Sequence, residues 1–500
     1  MNHKVVIIGA GIGGLATANL LAKKGYEVHI YERHSAAGGR AGQKTQDGFL
    51  FDTGPSWYLM PEVFERYYNL LDTSAKEQLD LQRLNPAYRV YYEDGSQITI
   101  TSDLEKDAAT FESIESGAGQ SLRKYVKKSE LIYQLSLKRF LYSNFDTPRS
   151  ILHTDIVRHG LTMMRLAFTP MYSYVRRFVT HPKLQKILEY PMVFLGSSPF
   201  QAPAIYSLMG ALDFKEGVFY PQGGIYTIIT SLERIGKELG VTYHYNQPVA
   251  QIKSQNGRAT AIRLENGAVV TADSIISNAD LHFTETQLLA PEDQSYPEKY
   301  WARKQASPSA LLMYLGVKGE IPEFPHHTLL FVDAWKENFK GIFTDKTPPE
   351  KASLYICKPS QTDDTVAPEG HENIFVLVPL PANMPLGQNS GEAAEKLADH
   401  YLEQIKFTTG VDLADRQVTR SLFTPDDFSD VYNSWQSSML GPSHILGQSA
   451  FFRTPNKSKK LPNLYYTGAG TMPGIGLPMC IIGAELVVER IEKANKKADR

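Results

Sequence analysis

The stretch from Val5 to Glu32, VVIIGAGIGGLATANLLAKKGYEVHIYE, constrains the fold of this chain more than any other. Val5 to Ile8 form an unbroken apolar run, the pattern of a strand buried on both faces of a parallel sheet. Gly9, Gly11 and Gly14 follow at G-x-G-x-x-G spacing, and each has its own task. Gly9 permits the tight turn, Gly11 lets a pyrophosphate approach the backbone, and Gly14 lets the next helix pack against the sheet. The anion then rests on a helix N-terminus. Glu32 ends a second strand, Val28 to Tyr31, where a carboxylate accepts hydrogen bonds from a ribose 2′-hydroxyl. The stretch predicts a dinucleotide site that prefers a free hydroxyl to a 2′-phosphate.

A secretory signal is the competing reading of Met1 to Ala22, but four glycines interrupt the apolar run and an amphipathic strand continues the unit. The segment therefore reads as part of the fold. Five hundred residues exceed what one core usually supports, so two or three domains are expected. A net charge of −2 gives no reason to invoke nucleic acid. Cys357 and Cys480 stand far apart in no metal or redox pair, which suits a reducing, cytoplasmic setting. Elsewhere no apolar run is long enough for a transmembrane helix.

After Arg33, a second glycine turn, Gly38-Gly39-Arg40-Ala41-Gly42, offers backbone N–H groups and a guanidinium to a phosphate. Asp52 then leads into Gly54-Pro55-Ser56-Trp57, a turn placed to approach a flavin ring. These blocks, with Phe51 to Pro61, Leu195 to Phe200, Tyr220 to Gly224, Ser277 to Asp280, Phe423 to Phe428 and Asn463 to Met479, resemble the carotenoid desaturases. Those are the phytoene and diapophytoene desaturases of the flavin amine oxidase-like superfamily. The resemblance covers nearly the whole chain and is most specific at its carboxy-terminal block.

The resemblance implies FAD as cofactor and a hydrophobic polyene as substrate, with quinone or oxygen as electron acceptor. It implies that the backbone at Val249 meets adenine, and that the turns at Gly468, Gly470, Gly474 and Ile475 meet the flavin end. Ala469 stands in the turn where other flavin relatives often have an acid, and Met472 where many have histidine, which excludes a catalytic histidine at that point. Trp57, Tyr206 and Trp435 are candidates for lining a substrate tunnel. No general base can be named. A carotene isomerase, a carotenoid oxygenase and a non-catalytic flavin-bound membrane scaffold remain as alternatives.

Between Ser121 and Tyr190 there are thirteen Lys or Arg against four acids, a net +9, which leaves −11 for the remainder. Among these cations stand Phe140, Leu141, Tyr142, Phe145, Met163, Met164, Leu166, Phe168, Met171, Tyr172, Tyr174 and Phe178. That composition suits an interfacial membrane segment, with Arg123, Lys124, Lys127 and Lys128 toward headgroups, and also, with somewhat less weight, a helical core with a basic rim. The resemblance favours peripheral membrane docking.

Asp94-Gly95 and Asn266-Gly267 mark hairpins. His326-His327 should project to opposite faces of a strand, with no acidic ligands nearby, so no metal site is expected. Asp363-Asp364 and Glu369 read as a solvated loop. The fold class is therefore α/β: a Rossmann-type FAD-binding domain (residues 1–115, 223–284 and 456–500), a mixed-sheet substrate domain (285–455) and a helical membrane-associating subdomain (116–222). Gly9, Gly11, Gly14, Glu32, Arg33, Gly39, Arg40, Gly54, Pro55, Ser56, Val249, Gly468, Gly470, Gly474 and Ile475 are the candidate cofactor-binding residues.

Overall fold

A computed structural model describes residues 3–145, 154–384, 386 and 390–498. The strand Lys4–Ile8 is the centre of a five-stranded parallel sheet. Its neighbours, in order across the sheet, are Leu464–Tyr466 and Ser274–Ser277 on one side, Glu27–Tyr31 and Thr242–His244 on the other. The unit is thus assembled from the start, the middle and the end of the chain. Side chains alternate across it. Val5 and Ile7 pack under the helices Ile12–Lys23, Tyr226–Glu238 and Leu477–Ala498, whereas Val6 and Ile8 face a small antiparallel sheet of Val249–Gln255, Arg258–Leu264 and Val269–Thr271. Burial on both faces explains why the strand reads as four apolar residues without alternation.

The second large sheet has seven strands and is mixed. Ser309–Lys318 pairs antiparallel with both Gln417–Phe423 and His371–Leu380, and Leu354–Cys357 and His327–Phe331 extend the sheet. The hairpin Tyr88–Tyr92 and Gln97–Ile100 completes it, through parallel pairing of Thr328 with Arg89. This corrects the expected boundary, which left the hairpin with the dinucleotide-binding part. Asp94-Gly95 specifies the turn, with Gly95 at φ +78°, but a local turn signal carries no information about which sheet receives the strands.

Helices from Leu104–Ile114 to Pro182–Glu189 pack over that hairpin and bury Met163, Leu166, Met171 and Tyr174. Part of the basic stretch is neutralised at home. Arg123 pairs with Glu105 at 2.6 Å, Lys183 with Asp94, Lys186 with Asp333, and Arg176 with the fully buried Glu189 at 2.5 Å. Asp146 and Arg149, part of the same count, lie outside the described residues. Among the described residues no helix is long and apolar enough to cross a membrane.

A cavity joining two glycine turns to an apolar arm

The sharp turn after Lys4–Ile8 is closed by the Gly9 N–H donating to the Tyr31 carbonyl at 2.8 Å, with Gly9 at φ +95°. A Cβ at Gly14 would lie 2.2 Å from the Gly9 carbonyl oxygen, so only glycine lets the helix start this close to the strand. No side chain caps that helix, which leaves its first-turn amides for an anion. Glu32 is oriented by its backbone: one carboxylate oxygen accepts from Ala10 N–H at 2.7 Å, the other from His34 N–H at 2.9 Å. Gly11, Glu32, Arg33, Gly39, Arg40 and Val249 all line one cavity of about 1090 Å³. That exceeds the usual ligand pocket of roughly 300–1,000 Å³.

The other end is built from distant segments. A Cβ on Gly54 would stand 2.1 Å from the Arg40 carbonyl oxygen, so the Gly54-Pro55-Ser56 turn seals directly onto the second glycine turn. Asn278 is the hub that sequence reasoning left without a role. Its side-chain amide lies 2.9 Å from a Gly11 Cβ, 2.7 Å from one on Gly13 and 2.8 Å from one on Gly468. Gly13, outside the predicted set, is as tightly constrained as Gly11. Gly54, Pro55, Ser56, Gly468 and Ile475 line the cavity. Gly14, Gly470 and Gly474 stand behind its wall, where a Cβ would meet the Gly9 carbonyl, Leu281 and His444 respectively.

Arg453 explains how the carboxy-terminal turn keeps its shape. Buried, it donates to the carbonyls of Thr471 at 2.9 Å and Ala469 at 2.5 Å. Its position 16 residues from Ala469 left no spacing signal. Near it, Tyr206 OH and His444 Nδ1 are 2.7 Å apart, and the Ile475 N–H donates to His444 Nε2 at 3.4 Å. Burial, then the Arg453 cation, holds that imidazole well below its ordinary range, so it is neutral. A histidine thus stands beside the turn that lacks one at Met472.

The rest of the cavity is an apolar arm between the helices and the seven-stranded sheet, walled by Phe194, Leu312, Leu329, Phe331, Phe339 and Leu377. Trp57 and Tyr206 line the cavity, as the sequence suggests; Trp435 does not. It packs against Trp301 at 5.1 Å between ring centroids, in the core under the small sheet. The arm reaches Met164, Phe168, Phe451 and Phe452, which are exposed.

Two sequence readings are corrected. Asp363 is buried and accepts from Tyr220 OH at 3.1 Å and Gly223 N–H at 2.6 Å, while Asp364 and Glu369 are exposed. His326 and His327 do not project apart, because His326 precedes the strand and escapes its pleat. Their ring centroids are 4.5 Å apart, and one nitrogen of each falls within 4.8 Å of the other and of Cys357 Sγ. Hydrogen bonds engage the Nδ1 atoms, with Thr362 Oγ1 at 2.8 Å from His326 and Tyr355 OH at 2.7 Å from His327. Burial pushes the Cys357 thiol up to about 12, so it stays protonated.

The donor set fits FAD. Arg40 Nε, Thr53 Oγ1 and Trp57 Nε1 are buried without partners and belong to residues lining the cavity, and at Gly11, Gly13 and Gly468 any Cβ would collide with the Asn278 amide, so the backbone there stays bare. Residues 12–491 match the family model for flavin containing amine oxidoreductase. The chain is 40% identical to a carotenoid 3,4-desaturase of Haloarcula japonica, over 97% of each protein. It is 34% identical to a zeta-carotene-forming phytoene desaturase of Myxococcus xanthus, over 98% of this chain and 94% of that one. Its fold matches that of putrescine oxidase bound to putrescine with a TM-score of 0.64, at 15% identity and full coverage of both chains. Glycine cradle, oriented Glu32 and whole-length similarity lead to one conclusion: this chain belongs to the flavin containing amine oxidoreductase family, among its carotenoid desaturases.

Proposed function

We propose that the chain is an FAD-dependent desaturase that introduces conjugated double bonds into an acyclic isoprenoid polyene of the phytoene or diapophytoene type. The observation that carries this reading is the continuity of the cavity, from Glu32 and the glycine turns to an arm walled by aliphatic and aromatic side chains. A hydrocarbon offers nothing to hydrogen-bond, so such an arm selects by length and shape. Glu32 would hold the ribose, Arg40 and the amides after Gly11 the pyrophosphate, Val249 the adenine, and the Gly54 and Ile475 turns the ring end. FAD, when bound, supplies the hydride acceptor. The protein's own part is to align one carbon–carbon bond with that end and to exclude water.

The membrane is the proposed source of substrate. On the helix Thr154–Phe168, Arg158, Leu161, Met164, Arg165 and Phe168 are exposed, whereas Met163 and Leu166 turn into the core. Leu161 and Phe168 are 76% and 73% exposed, and Met164 and Phe168 rim the arm. Apolar side chains between cations, at the mouth of an apolar cavity, suit insertion at an anionic lipid surface. Quinone or oxygen would regenerate the oxidised flavin.

The test is holoprotein given phytoene- or diapophytoene-loaded liposomes and a quinone, followed by pigment spectra and chromatography. A net gain in conjugation is expected. Isomer exchange alone, or oxygenated product without added double bonds, contradicts desaturation in favour of an isomerase or an oxygenase.

A further inference from the structure

Where the ring end of the cofactor site meets the apolar arm, a hydrogen-bonded chain leaves the cavity wall. Ser56 Oγ lies 2.7 Å from Tyr355 OH, and Tyr355 OH lies 2.7 Å from His327 Nδ1. Ser56 and Tyr355 line the cavity; His327 is fully buried behind them. Its ring stacks on Trp57 with centroids 4.4 Å apart and planes 10° from parallel, and its Nε2 has no partner. We propose that Tyr355 takes the proton released from the substrate and that His327, acting through Tyr355, holds it. This rests on the desaturase reading of the same cavity.

Making a double bond removes a hydride from one carbon and a proton from its neighbour. The proton must find an acceptor in an arm whose walls are otherwise largely hydrocarbon. A strong base is unnecessary, because departure of the hydride leaves an electron-poor carbon that makes the adjacent C–H acidic. A phenol oxygen backed by a neutral imidazole suffices. Burial, with His326 beside it, holds the His327 imidazole well below its ordinary value, so it is neutral at rest and carries the proton only briefly, until the acceptor takes it. Burial also keeps the Tyr355 phenol protonated, which makes Tyr355 the donor to Nδ1.

The step balances. The substrate C–H bond breaks and its electron pair becomes the second bond of the new C=C. The proton binds the Tyr355 oxygen while the phenol's own proton passes to His327 Nδ1. The quinone or oxygen acceptor later gains this proton together with the hydride's proton and two electrons, which returns His327 to neutrality. In between, the charged imidazole lies on the face of Trp57, an arrangement that favours a cation. His327 is thus a positioning and proton-holding residue, and Tyr355 the group that meets substrate.

Tyr355→Phe and His327→Gln, assayed as FAD-loaded full chain with polyene-loaded liposomes, separate this role from a structural one. Gln still accepts from the phenol but cannot carry the proton. Both variants are expected to keep their flavin content and a KM within about twofold of the parent, with kcat lowered by about 10²-fold, the low end for general acid–base catalysis. In ¹⁵N-histidine spectra of the FAD-loaded protein, His327 Nδ1 should appear as an acceptor, and Tyr355→Phe should shift it. A kcat within twofold of the parent in either variant, or a protonated Nδ1 at rest, overturns the proposal. A parent protein that reduces flavin but leaves the polyene unchanged overturns the desaturase reading and this proposal with it.

Discussion

Gly11 carries the sharpest residue-scale expectation. Its Cβ position is already 2.9 Å from Asn278 Nδ2, so valine must displace the cavity wall on which the pyrophosphate is proposed to rest. Gly11→Val should retain less than a tenth of the parent's flavin after purification, measured by absorbance, while the chain still folds. Asp213 gives a second. It is buried and accepts from Tyr88 OH at 2.9 Å and Tyr190 OH at 3.3 Å, and burial raises its carboxyl from 3.8 to about 8. The folded state therefore keeps a proton that the unfolded chain gives up once the pH exceeds about 4. By linkage, stability from this group is greatest below that value and falls as pH rises to about 8. Asp213→Asn removes the titration. Its melting temperature relative to the parent should climb steadily between those limits; a constant difference would show that Asp213 ionises normally. The glycine motif was legible because each of its tasks is local. Asn278, Arg453 and His444 were not, since the partners through which they shape the site, such as Ala469, Gly9 and Ile475, lie 16 to 269 residues away and no short pattern marks such pairs.

Among elements, the helix Thr154–Phe168 shows what periodicity alone leaves open. Sequence offers two readings of the basic, aromatic stretch, core or lipid surface, and the folded helix buries some of its apolar residues and exposes others. Met163 and Leu166 are core; Leu161, Met164 and Phe168 face outward. Of the cations read as headgroup contacts, Arg123 pairs with Glu105 and Lys128 lies 5.2 Å over the Phe178 ring. Replacing Leu161, Met164 and Phe168 together by Glu should cut co-sedimentation with anionic liposomes at least fivefold without lowering the melting temperature. Undiminished binding would place the lipid-facing surface elsewhere. The hairpin Tyr88–Tyr92 and Gln97–Ile100 makes the complementary point: its existence was readable from Asp94-Gly95, its sheet was not.

Across the whole molecule, the five-stranded sheet and seven-stranded sheet meet along one continuous cavity, and neither half encloses it alone. The class of fold was readable because a doubly buried strand, two glycine turns and a carboxy-terminal glycine block are all strong local signals. How the halves share a cavity depends on tertiary contacts such as Tyr314 OH donating to the Thr53 carbonyl at 2.9 Å and Ser56 Oγ against Tyr355 OH at 2.7 Å. The proposed function has flavin at one end of that cavity oxidise a polyene in the other. Anaerobic single turnover of the holoprotein with substrate-loaded liposomes tests it most directly, by following flavin bleaching and product together. One new double bond per flavin reduced is the expected result; double-bond rearrangement without bleaching, or bleaching without new conjugation, would contradict it.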